Sequence, residues 1–414
     1  MSEPMTQRTE IVRLAAKGDG VTAEGKHVQL AVPGDVLDDA GVVYPGLHHV
    51  EAPCRHFGAC GGCQLQHADD TVLSDFIRGR VVNAATGQGL SIGELLPEHV
   101  SPPQSRRRAT LHGLRTHRGA VVGFREEGSH RLVDIAECPV LRPELAKYIK
   151  PLRNFVGKYG PKGNVDIALS LCDQGADLGL NNFPLEGLEA TEAALDFARD
   201  HGFARLTIDQ GYGPETVWEP EPVTIALSGQ PVGMPAGAFL QATQDAENRM
   251  VGDAVEWLKD ARLIADLFAG LGTFAFALAH EGTKSGLKGR KILAAEAEQA
   301  AHLSCKLAAS RAHLAGAGTV HAMHRDLFRN PLQPAELNRF DAVMLDPPRA
   351  GAKSQIAELA QSDVAQVVYA SCNPSSWARD GAVLADAGYK LTKLRPVGQF
   401  RWSTHVELVS LFER

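Results

Sequence analysis

The chain has 414 residues, more than one ordinary core serves, and its 44% hydrophobic and 22% charged content is that of a globular protein of two or three domains. No apolar run approaches the roughly 18 residues of a membrane span, and the opening MSEPMTQRTE lacks a basic-then-apolar signal, so a cytoplasmic protein with no membrane partner is expected. The net charge of −7, taken alone, counts against a nucleic-acid partner, and seven cysteines without a signal argue for metal or catalytic thiols rather than a disulfide framework.

Residues 8–43 alternate short apolar runs with Gly and Asp (IVRLAAKGDGV, HVQLAVPGDVL), the pattern of short strands and tight turns. A cysteine loop follows, Cys54, Cys60 and Cys63 with Gly61 and Gly62 between the last two. Cys138, in Glu137-Cys138-Pro139, is the natural fourth thiol. Four thiolates suit zinc or an iron–sulfur cluster; structural zinc usually pairs two short knuckles, so three-plus-one spacing favours the cluster. Cys172 and Cys305 have no such pattern and are expected in the core.

Residues 67–86 show helical periodicity. Residues 105–131 then carry seven arginines against Glu126 and Glu127, a local +5 that is either a phosphate footprint or a solvated strand face. Short strands and Gly/Pro turns continue to about residue 235, with one amphipathic helix near 188–201.

After Gln241 the pattern changes. A helix over roughly 243–258 precedes apolar strands alternating with Ala-rich helices, which predicts a parallel sheet covered on both faces. YKLTKLRPVGQF and HVELVSLFER would close it as an antiparallel pair. Residues 266–273, DLFAGLGT, follow a strand and open a helix, with Gly270 and Gly272 allowing a tight turn and close ligand approach. Glu296, Asp326 and Asp346 end successive strands, where open sheets of this kind bind ligands. Neither a third glycine at the dinucleotide spacing nor a phosphate-loop Lys-Ser/Thr is present, so S-adenosylmethionine is preferred to NAD or ATP. Ser371-Cys372-Asn373-Pro374 ends the next strand; Asn373 caps and Pro374 starts a helix whose dipole is expected to favour a Cys372 thiolate.

DLFAGLGTF, DPPRAG, SCNP, HVELV and AFLQAT together resemble the RNA uracil-5 methyltransferase family along essentially the whole chain. The resemblance implies an α/β, Rossmann-like class I methyltransferase domain, its parallel sheet ending in an antiparallel pair, at 237–414. It also implies a β-rich central RNA-binding domain with an iron–sulfur loop at 51–236 and a short β-module similar to a TRAM domain at 1–50. The implied cofactor and base contacts are Gln241, Phe268, Thr273, Glu296, Asp326 and Asp346, with Cys372 as nucleophile and Glu407 as base. Thr243 and Thr273 stand where the family usually has asparagine. Ribosomal-RNA members carry a 4Fe-4S cluster on the cysteine motif and tRNA members generally lack it, so 23S rRNA is the implied substrate. A tRNA enzyme, or a non-catalytic iron–sulfur RNA-binding protein, is the alternative; no obligate protein partner is implied.

Such a reaction explains the residue types. Carbon 5 of uracil is a poor nucleophile until a thiolate adds at carbon 6 and makes the ring an enolate; a base must later remove the carbon-5 proton. Glu407, in an apolar strand, is expected to have a raised pKa suited to that task.

Overall fold

The computed structural model describes residues 8–284, 289–314 and 319–414, so the first seven residues, with most of MSEPMTQRTE, lie outside it. The chain begins with five short strands, β1 (Thr9–Leu14), β2 (Gly20–Thr22), β3 (His27–Val28), β4 (Val36–Leu37) and β5 (Val43–Tyr44), in one antiparallel sheet ordered β3-β2-β1-β4-β5. Ile11, Val21, Ala31 and Val32 are its buried apolar residues.

Helix α1 (Asp70–Gly87) starts where Asp69 Oδ1 accepts from Val72 N–H at 2.9 Å. Its Leu73, Phe76, Ile77 and Val81 recur at helical spacing and are all buried. Two short strands, β6 (Glu94–Leu95) and β7 (His99–Val100), follow. A seven-stranded sheet is then built from β8 (Arg108–Thr116), β9 (Gly119–Arg125), β10 (Leu132–Asp134), β11 (Asn164–Cys172), β12 (Gly175–Asn181), β13 (Phe203–Asp209) and β14 (Pro214–Trp218), in the order β10-β9-β8-β11-β12-β13-β14. Helices α2 (Pro143–Ala146), α3 (Ile149–Tyr159) and α4 (Gly187–Asp200) accompany it. The sequence pattern anticipates α4 and misses α3, whose buried Ile149, Leu152, Phe155 and Val156 follow a helical period across only 11 residues. The hairpin of β15 (Thr224–Leu227) and β16 (Gln230–Gly233) leads into the last region.

There α5 (Gln244–Trp257), β17 (Leu263–Leu267), α6 (Thr273–Lys284), β18 (Lys291–Glu296), α7 (Gln299–Leu314), β19 (Thr319–His324), α8 (Pro334–Leu337), β20 (Ala342–Leu345), α9 (Lys353–Leu359), β21 (Gln366–Ser371), α10 (Pro374–Asp386), β22 (Lys390–Gly398) and β23 (Glu407–Glu413) alternate as expected. β17 to β21 pair in parallel, and β23 inserts antiparallel between β21 and β22. One face is covered by α5, α6 and α7 and the other by α9, α10 and α1. β6 and β7, well upstream in sequence, pair in parallel with β22 and extend the same sheet. Residues 70–100 therefore pack on the final sheet rather than on the seven-stranded one, a placement that the sequence did not reveal. Among the described residues no helix is long and apolar enough to cross a membrane.

Candidate active site

The carboxyl ends of β17, β18, β19, β20 and β21 deliver Asp266, Glu296, the turn carrying Asp326, Asp346 and Cys372 to one edge of the sheet. Gly272 has φ +95°, and a Cβ there would stand 2.7 Å from the Phe276 ring and 3.1 Å from Cys305 Sγ, so glycine is required to turn the chain into α6 at Thr273. Glu296 is fixed as a cradle: Oε2 accepts from Gly270 N–H at 2.8 Å, and Oε1 from the N–H groups of Ala297 at 2.8 Å and Glu298 at 2.7 Å. Asp326 Oδ1 accepts from Phe328 N–H at 3.0 Å. Phe268 adopts φ +64°, and its ring lies 5.4 Å from that of Phe328, an exposed aromatic that the sequence reading missed.

Asp266 is fully buried with neither carboxylate oxygen hydrogen-bonded, although Ala275 N–H points toward it. Burial, with Asp346 and Glu296 nearby, pushes its pKa well above the carboxylate range. An orphaned buried acid in this cradle fits a ligand carrying positive charge, as S-adenosylmethionine does on its sulfonium and amine.

The second half of the site is a hydrogen-bonded relay. Gln241 Nε2 donates to Asp346 Oδ2 at 3.2 Å, while Gln241 Oε1 accepts from Gln399 Nε2 at 3.0 Å. Gln399 in turn accepts from Ala242 N–H at 2.8 Å and hydrogen-bonds the Glu407 carboxyl. The Gln241 carbonyl accepts from Arg107 Nε at 3.0 Å, and the Arg107 guanidinium pairs with Glu247 and Gln244. Thr243 is buried as the N-cap of α5, 2.8 Å from Ser101 Oγ, which gives its hydroxyl a structural use where the family has asparagine.

Burial drives Glu407 up to about 8, with Asp346 adding to the effect and Gln399 and Arg108 opposing it. Asp346 is pushed to about 7 by burial, against the Gln241 hydrogen bond. The expectation of a readily formed Cys372 thiolate is overturned. Asn373 Oδ1 does accept from Ser375 N–H at 3.1 Å and caps α10. Even so, burial and the Glu407 and Asp346 charges raise the thiol to about 11 despite Arg349 and the Cys372 N–H. Burial is the largest of these effects, and with the two carboxylates it outweighs the guanidinium and the N–H that favour thiolate.

Arg108 also reaches this site. It bears on both Glu407 and Cys372, stacks 4.7 Å from the ring of the exposed Phe239, and keeps a buried Nε without a partner. The 105–131 stripe is thus not one solvated footprint. Arg107 is 3% exposed and ion-paired and Arg108 turns into the site, whereas Arg115, Arg118, Arg125 and Arg131 are exposed.

The cysteine loop packs on the β9–β10 hairpin, where Gly61 N–H donates to Arg125 O at 2.9 Å; a Cβ on Gly61 would meet that oxygen at 2.9 Å. Cys54, Cys60, Cys63 and Cys138 line one cavity of about 30 Å³, with Arg106 beside it. The thiols ring this space rather than a point: among the described residues no three His, Cys, Asp or Glu side chains gather closely enough to share one metal ion. Burial pushes Cys63 to about 12 and raises Cys60 and Cys138. The N–H groups of Gly62 toward Cys60, and of Leu141 and Val140 toward Cys138, with the Arg106 charge, favour thiolate. Burial is nevertheless the largest effect on all three thiols. Cys305 is buried under Gly272 as expected, and Cys172 is half-buried, donating to Gly175 O at 3.2 Å.

Four similarities bear on this arrangement. The profile described as tRNA (Uracil-5-)-methyltransferase matches residues 232–414. An uncharacterized RNA methyltransferase of Zymomonas mobilis is 48% identical over 98% of this chain and 99% of its own. A 23S rRNA (uracil(1939)-C(5))-methyltransferase of Pectobacterium atrosepticum is 31% identical over 89% of this chain and 81% of its own. In fold, the tRNA (uracil-54, C5)-methyltransferase of Pyrococcus abyssi, solved with S-adenosyl-L-homocysteine, matches with a TM-score of 0.72 at 20% identity, covering 98% of this chain and 100% of that one.

Proposed function

The chain belongs to the RNA uracil-5 methyltransferase family, and from that membership we propose that it methylates one uridine of 23S rRNA through a covalent adduct on Cys372. Methyl transfer from S-adenosylmethionine to RNA is the family's activity; the RNA and the adduct are our reading. The observation that carries it is the convergence of Cys372, Glu407, Asp346 and Arg108 in one buried site, each from a different segment of the chain.

In this reading a uridine leaves its stack and slides between Phe239 and the site. Cys372 Sγ gives its proton to water and bonds to carbon 6 as thiolate; Arg108, facing Cys372, offsets the anion and its free Nε suits a uracil oxygen as the enolate forms. Asp266, Glu296, Asp326 and Phe268, with Thr273 at the head of α6, would hold S-adenosylmethionine, which would supply the methyl group. Glu407 then takes the carbon-5 proton, and the carbon 6–sulfur bond breaks with its electron pair leaving on Cys372 Sγ as thiolate, which regains a proton from Glu407 or water. Gln399, bonded to both Gln241 and Glu407, keeps the base aligned with the relay to Asp346.

The target is assigned to 23S rRNA because the cysteine motif accompanies ribosomal-RNA enzymes in this family and the Pectobacterium relative acts there by name. Cys54, Cys60, Cys63 and Cys138, which line one cavity, are read as the residues that would hold a 4Fe-4S cluster; the residues 8–50 sheet is read as a TRAM-like RNA contact. The match to a profile named for tRNA enzymes favours the rival substrate. Mapping 5-methyluridine in total RNA from cells with and without the protein decides. Loss from 23S rRNA is expected, and loss from tRNA alone overturns the assignment.

A further inference from the structure

Beside Cys372 three arginines, Arg349, Arg106 and Arg80, come together around His405, and among the described residues none of them forms an ion pair with a carboxylate. The carbonyl of Arg349 accepts from Asn373 Nδ2 at 2.9 Å and from Ser376 Oγ at 3.0 Å, which fixes this residue against the first turn of α10. Its Nη2 lies 3.5 Å from His405 Nδ1. The His405 ring meets Phe400 edge-on at 6.0 Å, and the Arg106 guanidinium lies 5.1 Å from the centre of the Phe400 ring. Arg80 approaches from α1, lining with Pro374 and Ser375 a groove of about 610 Å³ between β1, α1 and the start of α10.

The charged groups bearing on His405 are Arg349, Arg106 and Arg80, all guanidiniums. Among the described residues no carboxylate comes within 4.0 Å of any of the three, although ion pairs form in many other places, and Arg80 Nε is buried without a hydrogen-bond partner. Like charges held together repel, so the arrangement is relieved by an anion with several acceptor oxygens, which the forked guanidinium donors match.

We infer that Arg80, Arg349 and His405, with Arg106 behind them, bind one backbone phosphodiester of the RNA strand next to the uridine that enters the Cys372 site. The inference rests on the RNA methyltransferase reading and adds to it where the strand is held. From this phosphate the strand runs into the groove over Val12 and Arg13 of β1 and Asn83 of α1. The contact reads charge, not sequence, so it positions the strand without choosing the base.

The test is the salt dependence of binding, measured by fluorescence anisotropy with a short labelled oligouridylate and the complete chain. For a single strand, every phosphate that the protein ceases to neutralise should lower the slope of log affinity against log salt by about 0.7. Arg349→Gln and Arg80→Gln should each weaken binding and lower the slope, Arg349→Lys should keep it, and S-adenosylhomocysteine affinity should stay at the wild-type level in all three. Variants that hold S-adenosylhomocysteine normally yet keep the full slope overturn the phosphate site and leave the methyltransferase reading intact. A wild-type protein that binds no RNA overturns both.

Discussion

Replacing Glu407 by glutamine keeps the size of the side chain and its hydrogen bond with Gln399 but removes its basicity. If Glu407 takes the carbon-5 proton, attack and methylation continue while release fails, because a positioned base contributes about 10²–10⁴-fold. The variant should accumulate a covalent RNA adduct, seen as a slow band on a denaturing gel; Cys372→Ala and the double variant should give none. The same substitution reports on the raised pKa. Glu407 is 4% exposed, and its carboxyl moves from the usual 4.5 to about 8. A raised carboxyl contributes stability that is full below its unfolded value and lost as pH rises through the folded value. At 1.36 kcal/mol per unit, the wild type should lose roughly 4 kcal/mol relative to Glu407→Gln between about pH 5 and pH 8.5. Urea unfolding followed by tryptophan fluorescence measures this, since Trp377 and Trp402 are buried in the same half of the chain. Identical pH dependence in the two proteins would refute the burial argument; normal turnover without adduct would move the base elsewhere, with Asp346 tested next.

Cys372→Ala should abolish methyl transfer with S-adenosylmethionine affinity nearly unchanged, as titration calorimetry and a tritium-release assay will read. The wild-type rate should climb with pH through about 8 as Glu407 loses its proton, and a flat profile from pH 6 to about 9 would oppose that assignment. Protein purified without oxygen should be brown, with iron and sulfide lost together in the Cys63→Ser variant; metal analysis finding zinc and no sulfide would reject the cluster. Arg107→Met leaves Glu247 charged and buried, which should cost about 3–5 kcal/mol and weaken cofactor binding by loosening Gln241; an unchanged melting temperature would contradict the pairing.

Much of the site is legible in the sequence because local patterns carry it. The glycine turn at 270–272 and the acids at successive strand ends depend only on strand–helix alternation, which leaves a clear period. What escapes is set by partners distant in sequence. A two-residue strand such as β6 has no period to detect, and its place follows only from Leu394 opposite Leu95. Arg107 and Arg108 are neighbours in a charged run, yet one ends against Glu247 and the other beside Glu407, at separations that no spacing rule covers. The thiol of Cys372 likewise answers first to its burial and then to Glu407 on β23 and Asp346 just past β20, none of which its own segment reveals.

The pairing of β6 and β7 with β22 makes the catalytic half a discontinuous folding unit, into which the seven-stranded sheet of β8 to β14 is spliced as an insertion. During synthesis, α1 must present Phe76, Ile77 and Val81 to water until Leu394 and its neighbours emerge, more than 300 residues later. A fragment cut at residue 237 would expose the β22 edge and the apolar face that α1 covers, so it should aggregate where the intact chain folds. Trimming this protein to its catalytic half therefore requires keeping residues 70–100 and bridging the inserted sheet, rather than cutting at one point.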